Sequence, residues 1–321
     1  MKRVQWIILA SVLLLIPTIM ILGCGGEKPT PRDNPRALSL PSNAVCYGPH
    51  RDGQRPGGPA PSEEQLLEDL RLMEPLWNAI RLYGSGDVAE SILALIRQYD
   101  LDLKVMLGIW IATDAEAAND EQVDGGIRLA NKYPNIVAAV CVGNETQVSW
   151  SPNPSPLDDL IGHVRRVRAA VKQPVTGADD FAYWLEDRSL RLAAELDFIT
   201  MYYHPLWNGK QLEEGLHWVQ TVMNAVQEKH PQSKLVLGET GWATSAHNEG
   251  DQSRRIKGQP GEAEQKIFYD EICSWSDSSG QIVFWFEAFD ENWKGGTHPD
   301  EVEKHWGLFR ADRTKKAALA R

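Results

Sequence analysis

The chain has 321 residues and a formal net charge of −11 at pH 7, of which residues 1–23 supply two cations and no acid, so removing that segment leaves −13. A surface this acidic repels nucleic acid and anionic lipid and leaves neutral partners favoured. Beyond Cys24 only Cys46, Cys141 and Cys273 remain, widely spaced and odd in number, which argues against a disulfide framework or a CxxC metal site.

In chain order, the first predicted element is a signal-type segment at 1–23: Lys2 and Arg3, then an apolar run from Trp6 to Gly23, with Cys24 immediately after it. The run ILGC resembles a bacterial lipobox, which implies cleavage before Cys24 and lipidation of that cysteine. The mature chain is then expected in the bacterial cell envelope, anchored outside the cytoplasm in the outer membrane or at the cell surface. A plain spanning anchor is the alternative, since about 18 apolar residues can just cross a bilayer. Residues 24–43 are rich in Pro, Gly and polar side chains, a composition that builds no core, and are expected to form a flexible tether. The remaining residues, 44–321, are enough for one large α/β domain.

That domain alternates short β-like runs with helical patterns. The strand candidates are AVCYGP (44–49), NAIRLYG (78–84), LKVMLGIW (103–110), IVAAVCVGNE (136–145), PVTGAD (174–179), FITMYYH (198–204), KLVLGETGW (234–242) and QIVFWFEAF (281–289). Between them lie segments with apolar residues three and four apart, such as the one opened by Ser62 as N-cap and acids in its first turn. Eight strands alternating with helices, none leading into a glycine-rich phosphate loop, predict a (β/α)8 TIM barrel.

In such a barrel the carboxyl ends of the strands carry the site. Those ends hold Tyr47, Arg81, Tyr83, Asn144 and Glu145, Tyr202 and His204, Glu239 and Trp242, then Glu287, Asp290 and Glu291. Glu145 and Glu239 each close an otherwise apolar strand. A lone glutamate there is explained by an ion pair, with Arg81 available, but two such glutamates on strands four and seven fit glycoside hydrolysis, which needs two carboxyl groups flanking the scissile bond. Asn144 is placed to hydrogen-bond a sugar 2-hydroxyl. Trp110, Trp150, Trp184, Trp207, Trp242, Trp285, Trp293 and Trp306 fall at strand ends or in the loops beyond, and aromatic faces there suit a carbohydrate cleft, with Trp285 the one most expected in the core.

IRLYG, VGNE, LGETGW, FDENWK and EKHWGLF together resemble glycoside hydrolase family 17, the β-1,3-glucanases, in order and spacing across about 44–310. The resemblance implies a retaining (β/α)8 enzyme in which Glu145 is the acid/base and Glu239 the nucleophile, with Tyr47, Arg81, Tyr202, Asp290, Glu291 and Lys294 shaping the site or supporting the glutamates. Arg81 is then expected to hold the Glu239 carboxyl down and Glu239 to push that of Glu145 up. Thr240 and Ala243 depart from the serine and proline often found in the strand-seven motif, and Glu287 adds an acid beside strand eight. The expected activity is endo-type cleavage of a laminarin-like β-1,3-glucan, without cofactor or metal, by a monomer.

Two rivals use parts of the same pattern. A β-1,3-glucanosyltransferase shares the covalent intermediate, and a non-catalytic surface glycan-binding lipoprotein keeps the aromatics but needs neither glutamate. A metal-dependent hydrolase using His50, His204, His247 or His298 lacks any HExxH or paired-histidine spacing.

Overall fold

A computed structural model describes residues 36–320. The signal-type segment, Cys24 and the tether as far as residue 35 lie outside the described residues.

The eight apolar runs form β1 (Asn43–Cys46), β2 (Ala79–Arg81), β3 (Lys104–Ile109), β4 (Val137–Asn144), β5 (Val175–Asp180), β6 (Ile199–Tyr202), β7 (Leu235–Thr240) and β8 (Val283–Trp285). Each is parallel to the next, and β8 pairs with β1, so the sheet closes into a barrel. The helices between them are α1 (Glu63–Met73), α2 (Asp87–Gln98), α3 (Glu116–Lys132), α4 (Leu157–Ala170), α5 (Phe181–Leu185), α6 (Ser189–Ala193), α7 (Gly215–Lys229), α8 (Gly250–Arg255) and α9 (Glu262–Ser279). This is the (β/α)8 barrel expected from the alternation. Among the described residues no helix is long and apolar enough to cross a membrane.

Local chemistry explains the elements. Ser62 caps α1 in a reciprocal box: Gln65 N–H donates to its hydroxyl, and Ser62 N–H donates to the Gln65 side chain. Strand side chains alternate between two cores, as a period of two demands. Ala44, Cys46, Ala79, Met106, Ala139 and Val236 fill the barrel interior, while Val45, Ile80, Val105 and Val140 join the shell packed by the helices. The last run, expected over 281–289, leaves the ladder after Trp285; Ala288 and Phe289 stay buried by packing, with Ala288 N–H donating to the Cys46 carbonyl and Phe289 bridging to Phe309. Apolar character continues there because burial continues, although pairing does not.

The tether expectation is corrected for residues 36–42. Arg36 donates to the carbonyls of Gln173 and Arg168, and Leu38 and Leu40 join the barrel-interior cluster, Leu40 fully in it. These residues precede β1, so the leucines close the amino-terminal end of the barrel. Polar composition conceals two apolar side chains at the right spacing to plug it.

Candidate active site

The ladder slips once low in the barrel, between Val105 and Met106 on β3, and again near the carboxyl ends of three strands. Register shifts fall between Cys141 and Asn144 on β4, between Met201 and Tyr202 on β6, and between Leu237 and Thr240 on β7. Bulges of this kind re-aim side chains, and these three deliver Asn144 and Glu145, Tyr202, and Glu239 to one place. Gly143, at φ +78°, supplies the left-handed turn on β4. Glu145 itself has φ +49°, a conformation unusual for a residue with a side chain.

Arg81 is the hub. It is 1% exposed; its Nη1 donates to Glu239 Oε1 at 2.7 Å and to the Gly238 carbonyl at 3.1 Å, and its Nη2 donates to Asn144 Oδ1 at 2.7 Å and to the Tyr202 hydroxyl. Tyr202 in turn donates to Asn144 Oδ1. With that oxygen doubly occupied, the Asn144 amide N–H groups are directed away from Arg81 and are available to a ligand. Glu239 also accepts from the Tyr83 hydroxyl at 2.9 Å, and His204 Nε2 lies 3.4 Å from its other oxygen.

Glu145 is the opposite case. It is half-buried, and among the described residues nothing donates to or pairs with its side chain. Burial first, then the facing Glu239 charge, then Asp179, Asp180 and Glu303, push its carboxyl up to about 8. For Glu239, burial pushes upward, but His204, Arg81 and Tyr83 together outweigh it and hold the carboxylate below its ordinary value. One carboxyl group is kept ionised and the other protonated near neutral pH, a division of roles set by environment.

Several expected cleft residues stand elsewhere. Tyr47 is buried, donates to Asp69 at 3.0 Å and packs edge-on against Phe289. Asp290 accepts from Lys316 Nζ at 2.8 Å and from Gly307 N–H at 2.9 Å, pinning the carboxy-terminal segment. The Trp242 indole is 0% exposed and donates to the Gln259 carbonyl; it cannot meet a sugar. Trp184, Trp285 and Trp306 are equally buried, whereas Trp150 and Trp293 are 55% and 40% exposed. A residue at a strand end can turn outward as readily as inward, and pattern does not say which.

Glu291 and Lys294 form a separate polar knot with Glu287 at the mouth of β8. Lys294 Nζ lies 2.6 Å from Glu287 and 2.9 Å from Glu291, and Glu291 also accepts from Trp293 and faces His50 at 3.2 Å. A side chain on Gly48 would collide with the Glu291 carboxylate, its Cβ falling 2.1 Å from an oxygen. Pattern does not single out Glu303, which lies off the strands; it accepts from the Trp207 indole at 2.8 Å, and burial pushes its carboxyl up. Asp179 and Asp180 close β5 as Glu145 and Glu239 close their strands, but the run before them is too weakly apolar to make the acids stand out. Among the described residues no group of three or more His, Cys, Asp or Glu is arranged to hold a metal ion.

A parallel barrel whose mouth sets an ionised carboxylate against a protonated carboxyl group is the architecture of a glycoside hydrolase. Residues 44–307 match the BtgE/BtgC glycoside hydrolase domain, and the chain belongs to that family. A probable glucan endo-1,3-beta-glucosidase, btgC, of Aspergillus flavus is 29% identical over 280 residues, covering 81% of this chain and 40% of that protein. The chain thus spans well under half the length of the Aspergillus relatives it matches. A glucan 1,3-beta-glucosidase of Schizosaccharomyces pombe is 27% identical, with 80% of each chain covered. In fold, the chain is similar to an endo-laminarinase from Formosa (TM-score 0.79, 23% identity, 88% of each chain) and to a family 17 β-1,3-glucanosyltransferase from Rhizomucor miehei (TM-score 0.69, 20% identity, 87% of this chain and 96% of that one).

Proposed function

We propose that the protein is a retaining, endo-acting β-1,3-glucan hydrolase. The observation that carries this reading is the opposed environment of the two glutamates. In the first step Glu239 attacks the anomeric carbon while Glu145 gives its proton to the departing glycosidic oxygen, leaving a glycosyl ester on Glu239. In the second, Glu145, now ionised, takes a proton from water, and the resulting hydroxide displaces Glu239 with a second inversion. Arg81 orients the nucleophile and keeps it ionised, and the free Asn144 amide donates to a sugar hydroxyl beside the reacting carbon.

The choice of β-1,3-glucan draws on the relatives' names and on the motif resemblance. The N-terminal sequence supports lipidation at Cys24 and residence outside the cytoplasm, at the bacterial cell envelope; a monomeric state completes the proposal. Transfer to a sugar acceptor is the second reading. A cavity of about 250 Å³ in the loop that follows Glu145 in the chain, lined by Gln147, Trp150, Ser155, Glu186 and Arg188 among others, is a candidate site for such an acceptor.

The test is product analysis over time with protein beginning after Cys24, given a linear β-1,3-glucan, with cellulose, mixed-linkage glucan and the Glu239→Gln variant as controls. Short oligosaccharides from the β-1,3 chain alone, lost in the variant, are expected. Products longer than the substrate establish transfer, and binding without products refutes catalysis on this glucan.

A further inference from the structure

Glu145 sits in a left-handed conformation that its own side chain disfavours, so something must hold it there. The backbone on either side is fixed at four points. Glu145 N–H donates to the Ala178 carbonyl at 3.0 Å, and the Thr146 carbonyl accepts from Ser155 N–H at 2.9 Å. Gln147 N–H donates to Asp179 Oδ2 at 2.8 Å, and the Gln147 carbonyl accepts from Arg188 Nη2 at 2.6 Å. Among these partners the Asp179 carboxyl group stands apart, being 1% exposed and, among the described residues, without an ion-pair partner.

We propose that Asp179 is a positioning residue for Glu145: reaching across from β5, its carboxyl group fixes the turn that presents the acid to the glycosidic oxygen. A neutral Asn would fix it less well. Asp179 accepts two backbone N–H groups on its two oxygens, from Gln147 and, at 3.0 Å, from Asp180; a carboxamide has one accepting oxygen and would set its NH2 against a donor. Burying such a group unpaired is costly, and burial pushes this carboxyl up to about 7 despite the backbone N–H groups of Gln147, Asp180 and Thr146. A group kept at that cost beside a reacting centre marks a working role.

The charge acts on Glu145 as well. The groups facing Glu145 are Glu239 from β7, Asp179 and Asp180 from β5, and Glu303 from the loop after β8. Those influencing Asp179 in turn include Asp180, Tyr183 and Arg188. Ionised Asp179 therefore helps Glu145 keep its proton, and removing it lets Glu145 ionise at lower pH.

This inference rests on the hydrolase reading, and the experiment separates the two. Wild-type protein, Asp179→Asn and Arg188→Gln are assayed on a linear β-1,3-glucan and on a 2,4-dinitrophenyl β-laminaribioside, whose leaving group needs no proton. Asp179→Asn is expected to lose about tenfold or more in kcat/KM on the glucan, to lose far less in kcat/KM on the dinitrophenyl substrate, because kcat/KM reports the first step alone, and to shift the alkaline limb of its pH profile downward. Arg188→Gln, at the half-exposed rim, is expected to show a weaker form of the same leaving-group dependence and carries the test should Asp179→Asn fail to fold. Equal losses on both substrates, or an unmoved alkaline limb in a folded Asp179→Asn, overturn the proposal while leaving the hydrolase reading intact. A wild-type protein that cleaves neither substrate overturns the hydrolase reading itself.

Discussion

The ends of β7 and β4 carry the same side chain in opposite circumstances. Glu239 is gripped by Arg81 and Tyr83 and faced by His204, and its charge is favoured; Glu145 has no donor to its carboxyl among the described residues, stands on a strained backbone, and faces three other acids beside Glu239. The difference teaches how one barrel holds one glutamate ionised and another protonated, the division that the proposed mechanism needs. Saturating a carboxylate with donors keeps it ionised, whereas starving it of donors beside another charge keeps it protonated.

The largest effect is expected at the β7 end. Glu239→Gln should lower kcat on β-1,3-glucan by on the order of 10⁴-fold or more, with the folded state retained by circular dichroism; substantial turnover would dissolve the contrast altogether. At the β4 end, Glu145→Gln should cost about 10²–10⁴-fold on the same polymer, and the loss should shrink on a substrate whose leaving group needs no proton.

The environment can be changed while both glutamates stay. Arg81→Gln removes the cation beside Glu239 and leaves a buried carboxylate without its charged partner, expected to destabilise the fold by about 3–5 kcal/mol in thermal or denaturant unfolding. Its pH profile carries the sign. Glu239 must be ionised to attack, so the acid limb tracks its pKa, which lies below the ordinary value and should rise when Arg81 is gone. The alkaline limb tracks Glu145, at about 8, above which the acid has lost its proton. Tyr83→Phe removes one donor to Glu239 and should move the acid limb the same way but less, with a cost of about 1.5–3 kcal/mol in transition-state stabilisation if the bond is made to the charged group.

Leu40→Ala sharpens the comparison from outside it. Leu40 plugs the end of the barrel remote from both glutamates and is 7% exposed. Its truncation should cost about 2–5 kcal/mol of stability, with kcat and both pH limbs unchanged in the folded protein.

Most of the framework is legible in the sequence because strands buried on both faces read as apolar runs, and a charged residue closing such a run stands out. That signal picks out Glu145, Glu239 and Arg81, whose side chains the structure sets at the barrel mouth. It fails for Tyr47, Asp290 and Trp242 because what decides their direction is the local departure from the ladder and the packing beyond it: Tyr47 turns to the buried Asp69, and Trp242 turns into the shell beside Phe268. It misses Asp179, whose run PVTGAD is short and only weakly apolar. The left-handed backbone of Glu145 has no sequence signature except the neighbouring Gly143, and the role of residues 36–42 is hidden by the polar residues around two leucines.

The most direct test of the account is the stereochemistry of the first product. Proton NMR of wild-type protein acting on a linear β-1,3-glucan, recorded before mutarotation, should show the new reducing end appearing first as the β-anomer, the outcome of two inversions through Glu239. The α-anomer appearing first would mean a single inversion by water, and would contradict the assignment of Glu239 as a nucleophile.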